Sequence, residues 1–185
     1  MAKKYVNPTK VVTGECRFSY ANLWEAKAMD ENSKPKYSVS LIIPKSDTKT
    51  IAKIKAAIEA AYDEGKSKLS NGKSVPSLNS IKTPLRDGDI DRPDDEAYAN
   101  SYFINANSII APGIVDADRQ PILEHSEIYS GIYGRASITF YAFNTKTSRG
   151  IACGLQNVQK LRDGEPLGGH SSAEEDFADE DDFLD

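Results

Sequence analysis

The chain has 185 residues, 39% of them apolar, which suffices for one ordinary core and leaves two independent domains undersized. No apolar run approaches a membrane span, and the polar, basic stretch from Met1 to Lys10 lacks the apolar centre of a signal peptide, so a soluble protein that stays where it is made is expected. The formal charge of −5 hides a division: residues 174–185 carry eight acids and no base, and without them 20 acids face 23 bases, a body of +3. A mildly cationic body joined to an anionic tail suggests a polyanion-binding surface with a competitor in the same chain; the plainer alternative is a solubilising tail.

Taken in order, Val12, Gly14, Cys16 and Phe18 alternate with Thr13, Glu15 and Arg17 as in a half-buried strand, and a second strand is expected over Tyr20 to Met29. After the turn-like Asp30 to Pro35, Tyr37 to Ile43 alternates again until Pro44. The period then becomes helical: Ile51, Ile54, Ile58, Ala61 and Tyr62 share a face, Ser46 or Asp47 is the cap, and Gly65 ends the helix. From Asn71 to Asn100 no period persists, which predicts a long decorated loop, functional or partly disordered. Strand signals return in Tyr102 to Asn107, weakly around Ile114 and Ile122, and strongly from Ile132 to Phe143, with Ile151 to Leu155 as the second arm of a hairpin. Three strands, a helix and a further set of strands predict a mainly β fold, a five-stranded oligonucleotide-binding barrel with one α-helix after the third strand. That barrel domain is expected to span 1–162, with a flexible linker and disordered acidic tail over 163–185.

The strand from Ile132 to Phe143 carries the most chemistry. One face, Ile132, Gly134, Ala136, Ile138, Phe140 and Ala142, suits a barrel interior; the other, including Tyr133, Arg135, Tyr141 and Phe143, is aromatic and cationic. Single-stranded DNA exposes base faces, so rings that stack and cations that meet phosphates suit it without sequence reading. Arg17, Trp24, Lys34, Lys36 and Arg86 extend the candidate set, against the alternatives that Trp24 is core, that Tyr133 or Tyr141 is merely a good strand residue, and that Phe143 packs under the loop.

Enzyme chemistry finds little support. Cys16 and Cys153 sit in apolar patterns and are expected to be buried free thiols; with only His125 and His170 there is no zinc ligand set, and no metal or cofactor is expected. Asn71-Gly72-Lys73-Ser74 ends like a phosphate loop, but Ser67 stands where the first glycine belongs. Asp87-Gly88-Asp89-Ile90-Asp91 opens like a calcium loop, yet Arg92 and Tyr98 replace its glycine and glutamate. A magnesium nuclease built on the acids between Asp87 and Glu96 is one rival; an acidic-tailed DNA mimic or adaptor acting on a host or phage enzyme is the other.

Tyr129-Ser130-Gly131, Arg135 to Phe143, Gly150 to Lys160 and Arg162-Asp163-Gly164-Glu165-Pro166-Leu167-Gly168-Gly169 together resemble the bacteriophage single-stranded DNA-binding proteins of the enterobacterial-phage type, with a more distant resemblance to the T7-type protein. The resemblance implies an oligonucleotide-binding barrel, sequence-independent binding and protection of single strands, and a place in phage DNA replication or recombination in the cytoplasm of the bacterial host. The tail, with Phe177, Asp181, Asp182 and Phe183, is the expected handle for replication or recombination proteins; no membrane partner is expected, and self-association is left open. This tail ends Asp182-Phe183-Leu184-Asp185, unlike the terminal Pro-Phe common in bacterial single-strand binders.

Overall fold

The structure, a computed structural model, describes residues 6–28 and 30–167. It runs β1 (Lys10–Val12), β2 (Cys16–Lys27), β3 (Lys36–Pro44), α1 (Thr48–Glu64), α2 (Lys66–Ser70), β4 (Leu85–Asp87), α3 (Gly88–Asp91), β5 (Ser101–Ser108), β6 (Gly113–Val115), β7 (Tyr133–Asn144) and β8 (Arg149–Arg162). The chain is therefore mainly β, as its alternation predicts, but the short helices α2 and α3 accompany the one long helix expected. The long helix forms where the period changes: the Asp47 carboxylate accepts from the Thr50 N–H at 3.1 Å, Gly65 caps the other end, and Ile51, Ile54 and Ile58 are buried. Each such isoleucine stabilises the fold by about 1.5–3 kcal/mol.

All eight strands belong to one sheet. β2 pairs antiparallel with β3 and with β7, β3 with β5, and β7 with β8, while β5 meets β8 in parallel at Asn107 and Gly154. β1 lies outside this run on β7, β4 on β5 and β6 on β8. The main core, with Phe18, Leu41, Ile104, Ile138 and Phe140 fully buried, fills the inner side and receives α1.

The structure revises four local expectations. The chain breaks at Thr13–Glu15, not after Phe18, because the Gly14 N–H turns away to Thr50 Oγ1 at 3.0 Å. That break resets the alternation, so Val11 is buried and Val12 exposed. Cys16 to Lys27 is one strand, interrupted at Tyr20, whose φ of 47° and the register shift between Ser19 and Asn22 mark a bulge. The loop from Asn71 to Asn100 contains β4 and α3, and its end packs on the outer side of the sheet: Tyr98, Ile42 and Phe103 form a second small core, and the Tyr98 hydroxyl donates to Ser40 Oγ at 3.0 Å. Ile122 joins no strand, although its N–H donates to Ile114 O.

Residues 163–167, linker-like in composition, lie against the body. Tyr129 donates to Asp163 at 2.9 Å, the Leu167 N–H to Ser130 O at 2.8 Å, and Leu167 packs on the second core. Lys160, buried, reaches Asp163 at 2.6 Å and Glu127 at 2.8 Å, and this lysine together with the tyrosine hydroxyl holds the Asp163 carboxyl below the usual carboxylate range. The expected tail residues Phe177, Asp181, Asp182 and Phe183 lie outside the described residues. Both cysteines are free and buried, and desolvation pushes the Cys16 thiol up to about 12, a poor nucleophile at neutral pH.

Candidate nucleic-acid interface

The outward face of β7 has the expected alternation, and its most accessible ring is Tyr141, 47% exposed. Its strand partner on β8 is Ala152, and its ring edge passes over Gly154, so the neighbouring strand offers only small groups beneath it. Tyr141 lines a depression of about 390 Å³ with Lys36, Asn107 and Ile109. Strand pairing therefore brings Lys36, at the start of β3, beside a ring near the end of β7. Thr139 lines the same depression, and its Oγ1 is the one buried side-chain polar atom among the described residues without a hydrogen-bond partner. Arg135 is exposed, with its Nε donating to Thr13 O at 2.9 Å; Phe143 is half-buried.

Tyr133 and Arg17 are held differently. The Arg162 guanidinium lies 3.8 Å from the Tyr133 ring centroid and that of Arg17 5.4 Å away, while Gly164 packs so close to the ring edge that a side chain there has no room. Arg17 is tethered by Nε to Gly131 O at 3.3 Å and by Nη2 to Glu165 O at 2.6 Å. Glu15 pairs with Arg162 at 2.8 Å and, with Glu96, lines the adjoining depression, placing carboxylates where a phosphate would have to enter. Trp24 is also engaged, its ring stacked 4.3 Å from His125 at 9° and its Nε1 donating to the His125 carbonyl at 3.0 Å. Lys34 is exposed in the turn before β3.

A depression of about 870 Å³ lies over β4 and β5 and is lined by Arg86, Arg92, Phe103 and Asn105 together with acids of the segment 91–96. Arg86 is paired with Asp91 at 2.7 Å. Arg92 sits 4.9 Å from the centroid of Tyr20, 4.8 Å from that of Tyr98 and 5.8 Å from that of Phe103, and donates to the Tyr20 hydroxyl at 3.1 Å, the contact that does most to raise its pKa. Tyr20 is 57% exposed and held at positive φ, an uncommon state for a bulky residue. Phe103, Asn105 and Asn107 are successive outward positions of β5, about 7 Å apart, and Asn105 lines the larger depression while Asn107 lines the smaller. The outward positions of β5 thus form a strip linking one depression to the other, from Tyr20 and Arg92, which covers the buried Phe103, through the two asparagines to Lys36 and Tyr141. Alternation in Tyr102 to Asn107 marks the β5 part of it; no local signal announces that Arg92 returns to Tyr20.

Four of the six acids between Asp87 and Glu96 are held by three cations. Asp87 and Asp89 take Lys45 at 3.0 and 2.8 Å, Asp91 takes Arg86, and Asp95 approaches Arg92 at 3.8 Å. Lys45 also holds the Asp89 carboxyl below its ordinary pKa.

Residues 9–184 match the family described as the single-stranded DNA-binding protein of Enterobacter phage Enc34. The chain belongs to that family. It is 30% identical, over 174 residues, to protein p50 of Acyrthosiphon pisum secondary endosymbiont phage 1, covering 90% of this chain and 91% of that one. Among solved structures it is similar to the bacteriophage Enc34 single-stranded DNA-binding protein in complex with single-stranded DNA, with a TM-score of 0.72 and 25% identity over 86% of this chain and 90% of that chain. Its fold is also that of gp2.5, a single-stranded DNA-binding protein encoded by bacteriophage T7: TM-score 0.61 and 16% identity, covering 92% and 93% of the two chains. The family description names a binding function and no catalytic one.

Proposed function

We propose that the chain binds single-stranded DNA without reading its sequence and coats it during phage DNA replication and recombination in the bacterial host. The observation that carries the reading, in a chain of this family, is the strip joining exposed Tyr141 and Lys36 to Tyr20 and Arg92 along the outward face of β5. Rings at its two ends offer stacking surfaces, the cations meet phosphates, and the asparagines between them offer donors and acceptors to any base.

The pairings β7–β2–β3–β5–β8–β7, with β5 and β8 parallel, support reading the sheet as a five-stranded oligonucleotide-binding barrel with β1, β4 and β6 as additions. Because β1 is outside the ring, α1 falls between the second and third ring strands. The groove then lies on the outer face of ring strands two and three, with Tyr141 at its far wall. Residues 174–185, with eight acids, are the handle for replication or recombination proteins and a tethered competitor for the same cations.

Fluorescence anisotropy with labelled single-stranded and duplex oligonucleotides, across a salt series and with magnesium present, tests the reading. Single strands should bind well above duplex, with log K falling linearly in log salt, and remain intact. Equal affinity for both forms, or cleavage of the strand, would overturn it.

A further inference from the structure

A second groove, separate from the aromatic strip, opens between the C-terminal end of α2 and the β7–β8 hairpin. We propose that it holds the phosphate backbone of single-stranded DNA that has passed Tyr141. Two depressions of about 270 and 370 Å³ adjoin there and share Asn71, Asn144, Thr145 and Lys146. Lys68, Lys73, Lys146 and Arg149 line them, and among the described residues no carboxylate does. On the aromatic strip Arg86 and Arg92 are each paired with an acid, whereas the four cations here, like Lys36 at the strip's far end, have none within 4 Å among the described residues.

The end of a helix normally presents unsatisfied carbonyls that repel an anion. Here those oxygens are taken. Ser67 O accepts from the Asn71 N–H, Lys68 O from Asn144 Nδ2 at 3.0 Å, Leu69 O from Arg149 Nη1 at 3.1 Å, and Ser70 O from the Lys73 N–H at 2.9 Å. The bonds from Asn144 and Arg149 fix α2 to the hairpin, so the groove is preformed, and the turn that carries Lys73 depends on Asn71 and Gly72, both at positive φ. The Asn71-Gly72-Lys73-Ser74 sequence, which lacks the first glycine of a phosphate loop, is thereby placed against the hairpin as one wall of an anion groove.

The lining is polar and cationic, without an aromatic ring, which suits backbone phosphates more than bases. Its position suits continuation of one bound strand. Thr145, at the hairpin tip, is four residues beyond Tyr141, about 13 Å along β7. The inference rests on the single-strand-binding reading above, and the test separates the two.

The full chain carrying Lys68→Gln, Lys73→Gln and Lys146→Gln is compared with one carrying Lys49→Gln, Lys53→Gln and Lys55→Gln on the exposed side of α1, which has the same net charge. Arg149 is kept because it holds α2. Binding is measured with thymidine oligonucleotides of about 8 and about 30 nucleotides. With the long oligonucleotide, the groove variant should lose about 2 from the salt slope, at 0.7 per phosphate contact, and about a hundredfold in affinity at 0.1 M salt relative to 1 M. With the short one it should match the parent chain, and the α1 variant should stay near the parent on both. An unchanged slope on the long strand, an equal loss in the α1 variant, or an equal loss on the short strand overturns the groove while leaving the aromatic strip intact. Failure of the parent chain to bind either oligonucleotide overturns the function itself.

Discussion

Replacing Tyr141 with alanine separates stacking from every other contribution to binding. The ring is 47% exposed, sits above Ala152 and Gly154, and makes no hydrogen bond among the described residues, so its removal costs the fold little. A change within about 1 kcal/mol is expected, mostly from lost β-propensity. If the ring stacks on a base, binding should weaken by about 1–3 kcal/mol, which is about 5- to 150-fold in Kd. No charge is removed, so the salt slope should not change. Tyr133→Ala supplies the contrast, because that ring has Arg162 and Arg17 near its centroid and Gly164 against its edge, and its loss forfeits cation–ring contacts worth about 0.5–1 kcal/mol each. It should lower thermal stability more than Tyr141→Ala and weaken binding less. Anisotropy titrations at several salt concentrations, paired with thermal melts, read both quantities. A folded Tyr141→Ala protein with the parent affinity would refute the stacking role and move the groove elsewhere.

Three further outcomes are expected. If the ring stacks on a base and the hydroxyl only anchors Arg92, Tyr20→Phe should retain most of the binding and Tyr20→Ala should lose about 1–3 kcal/mol; equal losses in the two titrations would assign the effect to the anchor. The Asp163 carboxyl has a depressed pKa when folded, so its bond to Lys160 contributes fully above the unfolded value near 3.9 and is lost as pH falls through the folded value. The stability gap between the parent and Asp163→Asn in melts should therefore close below about pH 3.9, and a gap that persists at lower pH would contradict the assignment. Deleting residues 174–185 should strengthen single-strand binding at low salt, with the gain shrinking as the Debye length falls to about 8 Å at physiological ionic strength; an unchanged low-salt affinity would remove the competitor role.

What the sequence determined by itself is local. Alternation along Ile132 to Phe143 assigned each residue of β7 to its face, because side chains on a strand point to opposite sides with a period of two whatever lies around them. The helix from Thr48, its Asp47 cap and its Gly65 end were legible for the same reason, as were the two buried cysteines. Alternation misplaced Val12 because the turn at residues 13–15 answers to Thr50 on α1, far along the chain. Only the tertiary structure decided which of the outward residues are free. Tyr133 and Tyr141 look equivalent in the strand, yet residues 163–167 fold back on the first and leave the second exposed. Linker composition concealed that return, since its bonds run from backbone groups and Asp163 to partners distant in sequence. Arg92 on Tyr20, Lys36 in one depression with Tyr141 and Lys73 in another with Lys146 are likewise products of strand pairing and loop return, which bring together residues whose local patterns carry no mark of one another.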